Sequence, residues 1–197
     1  MPTDSIGKRW KAISAIGAIV ASTATAIYRP PPVGDPQSFI ALGTLLSSVT
    51  SGLLYVAMTR FAARRHVLLW VAAAIAGSAG AVWCHSYYGI LSDTRVAVYE
   101  GQHFVIGDEY TAEGTAWAAA HGHDSNALLF DFMGVATNAW TRESIERVKA
   151  RMRFSYYAVF PLVAIAILST VQAVDVGKRS GRRKSRARIA SRSSERR

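Results

Sequence analysis

The residues best suited to chemistry stand close together at 121–124. His121, His123 and Asp124 put two imidazoles and a carboxylate within four positions, and these are donor types of a metal site. Their spacing matches no established zinc motif. They also follow Ala112 to Ala120, which reads as a helix capped by Thr111 and weakened by Gly114. A polar loop after a helix is the plainer expectation, so neither a metal nor another cofactor is expected. Asp108, Glu109 and Glu113 have the types of an acid–base pair, but acids near a helix start equally serve the helix dipole. Cys84 is the single cysteine. It excludes an intramolecular disulfide framework and a zinc site with several Cys ligands, and it is expected as a small buried hydrophobe. The chain has no Gly-x-Ser-x-Gly elbow, no Gly-rich phosphate loop and no His-Glu-x-x-His. No catalytic residue is assigned, and an enzyme is not expected.

The elements that must position these groups follow from the distribution of apolar residues. The chain has 197 residues, of which 50% are hydrophobic and 18% charged, against roughly 25% charged in an average soluble domain. Four stretches, at about 12–28, 38–59, 67–88 and 154–174, contain no Asp, Glu, Lys or Arg in their centres. Each approaches or reaches the ~20 residues that a helix needs to cross a bilayer. A soluble bundle would carry charged stripes at helical spacing, and these stretches carry none. The first follows Lys8, Arg9 and Lys11 and contains Ala24-Thr25-Ala26, so a cleaved signal peptide is its alternative reading. The expected fold is therefore an all-α integral membrane protein. It has a four-transmembrane-helix bundle, a small α+β extracytoplasmic loop module at 89–153 and a disordered basic cytoplasmic tail at 175–197.

Charge gives the orientation. The formal net charge is +10, but it is unevenly placed. The connection after the second stretch carries Arg60, Arg64 and Arg65 without an acid, while residues 89–153 hold nine acids against six bases. The segment after Val174 holds ten bases against two acids. By the positive-inside rule, both termini face the cytoplasm and the long third loop faces outward. The expected location is a plasma membrane, with a bacterial inner membrane favoured by the lack of paired cysteines.

Within the spans, small residues recur every four positions, as in Gly43, Ser47 and Ser51, and in the pairs ending at Gly77 and Gly80. This spacing lets helix backbones approach closely in lipid, either within one bundle or in a homo-oligomer. Pro161 is expected to kink the fourth span. Paired tyrosines at 87–88 and 156–157 are expected at the outer interface. In the loop, Val96–Tyr99 and His103–Ile106 read as a hairpin around Glu100-Gly101-Gln102. Ser125 is expected to cap a helix over 126–133 that ends at Gly134, and Thr141 a helix that continues into the fourth span. A thin core is expected from Phe104, Ile106, Trp117, Leu128, Leu129, Phe130, Phe132 and Trp140.

In the tail, Arg182, Arg183, Lys184, Arg186 and Arg188 are the residues expected to meet anionic lipid head groups or an acidic partner. Without interleaved aromatics, nucleic acid is not expected there. Four spans with a large loop between the third and fourth resemble the tetraspanin layout, but the loop lacks that family's Cys-Cys-Gly motif and disulfides, so membership is not expected. The expected function is that of a non-enzymatic sensor, adaptor or scaffold acting through the outer loop and the tail, with a membrane or extracytoplasmic protein as partner. The alternative is an oligomeric pore former or membrane-permeabilising effector, holin-like or channel-like.

Overall fold

A computed structural model describes the backbone at residues 36–61 and 66–194, and side chains at 37, 40–61 and 66–176. The first apolar stretch, 12–28, lies outside the described residues. The fold is mostly helical, at 80%, with a single two-stranded sheet among the described residues. Among the described residues, two long helices come first, α1 (Pro36–Arg60) and α2 (Val67–Thr94). A hairpin of β1 (Val96–Tyr99) and β2 (Gln102–Val105) follows, then the short helices α3 (Ala112–His121), α4 (Ser125–Asp131) and α5 (Ala136–Ala139). The last helix, α6, runs from Arg142 to Ser194.

Among the described residues, three segments are long and apolar enough to cross a membrane: Ile40–Arg60, Val67–Thr94 and Arg142–Val176, with mean hydropathies of 1.6, 1.9 and 2.0. Their burial is inverted relative to a soluble protein. On α1, Gly43, Ser47 and Ser51 are buried one turn apart, while Leu45, Val49, Leu53 and Val56 are 54–67% exposed. Water would penalise that apolar face at about 25 cal/mol per Å²; lipid does not. α2 repeats the arrangement, with Leu68, Ile75, Val82 and Trp83 outward. It also runs past Tyr88, because nothing in Gly89–Thr94 breaks a helix and the Thr94 hydroxyl donates back to the Ile90 carbonyl at 2.7 Å.

The chain divides into two compact units, one holding Thr44–Ala81 with the chain from Phe160 onward, the other built mainly on Val82–Val159. In the first, Gly77 lies against the α6 backbone. A Cβ there would stand 2.9 Å from both the Leu162 carbonyl oxygen and the Ala166 nitrogen. The Trp70 indole donates to the Phe61 carbonyl at 3.0 Å.

The second unit is built on local turn chemistry. Glu100 and Gly101 have φ of 48° and 76°, the two left-handed positions of a type I′ turn. The turn takes two residues rather than three, so the second strand starts at Gln102, with Tyr99 opposite Gln102 and Val96 opposite Val105. Thr111 caps α3, its hydroxyl accepting from the Gly114 N–H at 3.0 Å. The cap of α4 is Asp124, not Ser125: the carboxylate accepts from Asn126 N at 2.9 Å and Ala127 N at 3.4 Å. A carboxylate at this position satisfies free N–H groups and also meets the helix dipole. Thr141 caps α6 as expected, accepting from Ser144 N at 3.3 Å. The core joins Ala97, Ile106, Leu128, Leu129, Ala139, Trp140 and Ile145, with Phe104, Trp117 and Phe132 packed against it. Phe130 is not in it; at 69% exposure it lies outside, its ring 6.0 Å from that of Tyr99. The tyrosine pairs also divide. Tyr88 and Tyr156 are buried with rings 5.9 Å apart, whereas Tyr87 stacks on Trp83.

The tail departs most from expectation. Its backbone is helical through Ser194, where the density of like charge alone predicts disorder. Arg, Lys and Ala are strong helix formers, and the segment extends an existing helix, so no new nucleus is required.

Candidate functional site

His121, His123 and Asp124 do not converge. The His121 ring stacks on Trp117 at 4.8 Å, and its Nδ1 lies 3.2 Å from the Trp117 carbonyl oxygen. The Trp117 indole donates to Asp131 at 2.5 Å, which ties α3 to the end of α4. His123 instead stacks on Tyr110, with centroids 6.1 Å apart. Between the two histidines, Gly122 turns the chain at φ 90°. The Asp124 carboxylate is engaged in capping α4. Among the described residues, no three His, Cys, Asp or Glu gather as a metal site would require.

The polar constellation that does assemble is one that sequence spacing does not reveal. The segment 107–109 is pinned beside the first turns of α6. Thr141 donates its N–H to the Glu109 carbonyl at 3.0 Å, and the Ser144 hydroxyl donates to the same oxygen at 3.2 Å. Arg95 donates to the Gly107 carbonyl at 3.2 Å, and a Cβ on Gly107 would collide with the Ser144 hydroxyl. This places Asp108 and Glu109 opposite Arg147 and Arg151, which stand one turn apart on α6. Arg147 reaches Glu109 at 2.9 Å, Glu143 at 3.5 Å and Asp108 at 3.7 Å, and Arg151 reaches Asp108 at 3.3 Å. Glu113 lies in the first turn of α3, as a residue serving the helix dipole would. The only hint in the sequence is the i, i+4 pair of arginines following the i, i+4 pair Glu143 and Arg147. The acid partners lie more than thirty positions away.

Chemically, this cluster orients guanidinium groups. Both arginines are substantially exposed, at 37% and 46%, so solvent screens these ion pairs and they contribute little to stability. The pairs fix where the cations point more than they stabilise the fold.

The residues expected to pack helices behave differently from one another. Gly77 sits on backbone, and Gly80 against the Leu162 side chain. Ser47 and Ser51 are 1% and 5% exposed, and their hydroxyls, like that of Ser169, have no hydrogen-bond partner among the described residues. Arg182, Arg183, Lys184, Arg186 and Arg188 lie on the helical backbone of α6, with side chains outside the described residues. Compared with known proteins, the chain matches no family model, no curated protein and no solved structure.

Proposed function

We propose that the chain is a non-enzymatic, multi-pass membrane protein that acts as a sensor or adaptor, joining an extracytoplasmic module to the cytoplasmic face of a plasma membrane. One observation carries this reading: a single helix, α6, serves both ends. Its first turns bury Ser144, Ile145, Val148 and Met152 in the unit that holds the hairpin, and its last turns bear the basic run. A change in the packing of the first turns is then felt by the same element that meets the inner leaflet. The apolar stretch at 12–28 supplies a fourth span in this reading. The charge distribution supports cytoplasmic termini and an outward module.

A pore is less well supported. Ser47 and Ser51 of α1 are buried within one chain, and the exposed Ser48 hydroxyl donates to its own helix, to the Thr44 carbonyl at 2.8 Å, amid outward Leu45, Val49, Leu53 and Val56. A surface so dominated by Leu and Val suits lipid better than a water-filled path.

The test combines topology with conductance. In a Cys84→Ser background, His103→Cys reacts with a membrane-impermeant maleimide on intact cells, and Ser194→Cys reacts only after permeabilisation. The reverse pattern sinks the orientation. Full-length protein in liposomes is expected to pass no ions, and a protein-dependent flux would replace the adaptor reading with the pore.

A further inference from the structure

We propose that the chain binds one phospholipid molecule in a cleft between the later turns of α2 and the first turns of α6, with the lipid phosphate on Arg151. The inference rests on the membrane embedding of α2 and α6, but not on the sensor reading. The cleft has a volume of about 430 Å³, and its walls are Trp83 and Tyr87 from α2 and Phe154 and Ser155 from α6. Trp83 and Tyr87 stack with centroids 6.0 Å apart and an interplanar angle of 16°, giving one flat aromatic wall. Trp83 is 71% exposed and Phe154 74%, so both present open carbon surface to whatever fills the space.

The polar end is as defined as the apolar one. Arg151 and Arg147 line the cleft one and two turns before Ser155 on α6, so charge lies toward one end and aromatic carbon toward the other. No acid lines it. The carboxylates that hold the guanidiniums, Asp108, Glu109 and Glu143, are outside its walls. Arg151 meets Asp108 through Nη1 alone, which leaves Nη2 and Nε available among the described residues. A guanidinium presents paired donors that match two phosphate oxygens. Those features select the occupant. Inorganic phosphate leaves the carbon walls uncovered, and a sugar phosphate brings its hydroxyls against Trp83, Ala150 and Phe154, which offer them carbon surface. A phosphodiester head with an acyl chain uses both ends.

Native mass spectrometry of the delipidated full-length chain in detergent tests this, with dioleoyl phosphatidylglycerol as probe. Dioleoylglycerol removes the phosphate, and glycerol 3-phosphate removes the chains. One tight phosphatidylglycerol adduct is expected, about tenfold weaker with Arg151→Gln, since a hydrogen bond to a charged group is lost. A similar weakening is expected with Trp83→Ala combined with Phe154→Ala. These side chains are largely exposed, so their truncation spares the core, and a thermal melt verifies folding. Dioleoylglycerol is expected to bind at least about tenfold more weakly, and glycerol 3-phosphate to give no adduct. Arg182→Gln with Arg183→Gln and Lys184→Gln is expected to leave the adduct intact, because the tail is a separate lipid contact. The proposal fails if the cleft variants bind as wild type does, if only the tail variant loses the adduct, if dioleoylglycerol binds equally, or if glycerol 3-phosphate binds alone. None of these outcomes depends on the maleimide topology test, so the two readings fail separately.

Discussion

Asp124 has two competing uses, as a ligand beside two histidines or as a cap for α4, and its hydrogen bonds to Asn126 and Ala127 select the second. The two uses separate by substitution. Asn caps a helix about as well as Asp, whereas Ala costs about 1 kcal/mol. Asp124→Asn is therefore expected to leave thermal stability nearly unchanged and Asp124→Ala to lower it by about that amount. A zinc role predicts instead that Asp124→Asn abolishes bound metal, which elemental analysis would detect. Gly77 is decided by space. Its absent Cβ would press on the Leu162 carbonyl and the Ala166 nitrogen of α6, and backbone yields poorly. Gly77→Ala is expected to destabilise the protein in detergent by about 1–3 kcal/mol. Gly52 has nothing within 4 Å of the same position, so Gly52→Ala is expected to be neutral or to stabilise by up to about 1 kcal/mol through helix propensity. Thermal unfolding of the pair reads both signs. If Gly77→Ala matches Gly52→Ala, the close helix approach is wrong.

At the scale of elements, propensity and packing disagree at Gly114. As a residue within α3 it weakens the helix by about 1 kcal/mol relative to Ala. The structure gives the reason it is there: a Cβ would collide with the Ala139 carbonyl at the end of α5. Overpacking against backbone outweighs the propensity gain, so Gly114→Ala is expected to lower stability by about 1–3 kcal/mol despite making the better helix. Denaturation followed by near-ultraviolet circular dichroism would check it, and a stabilised variant would show that α5 can shift. The same contrast explains what was legible in the sequence. Thr111 and Thr141 as caps, the two β-runs of the hairpin, and the apolar stretches within α1, α2 and α6 were readable because each is written in neighbouring residues, whereas the turn is one residue shorter than the sequence suggests. The cap at Asp124 is equally local, but Ser125 beside it is as good a cap by residue type, and only the backbone decides between the two. The ion pairs of Asp108 and Glu109 with α6 were not readable, because they depend on which distant segments meet, and spacing along the chain carries no record of that. Phe130 illustrates the limit: its hydrophobicity suggests core, but α4 turns Leu128 and Leu129 inward and leaves it exposed.

For the whole molecule, the opposing tendencies of the tail are the informative feature. Ten of the twenty residues from Lys178 are Lys or Arg, and their repulsion in water opposes compact structure. Propensity and continuity with α6 favour the helix observed through Ser194. In the proposed reading an anionic surface would resolve the conflict, because each basic residue near it would contribute about 1 kcal/mol and lipid phosphate would offset the repulsion. The tail helix would then be a property of the chain at its membrane, not of the segment alone. A peptide covering residues 175–197 is accordingly expected to be weakly helical in buffer, and to gain helicity on vesicles containing phosphatidylglycerol but not on phosphatidylcholine alone. Replacing Arg182, Arg183 and Lys184 by Gln is expected to weaken its partitioning by roughly two orders of magnitude at low salt. Raising the ionic strength should reduce binding of the unmodified peptide in the same direction. Circular dichroism and vesicle sedimentation measure both quantities on one sample. Equal helicity in buffer and on vesicles would assign the helix to propensity, and the inner leaflet would then have no part in ordering the end of α6.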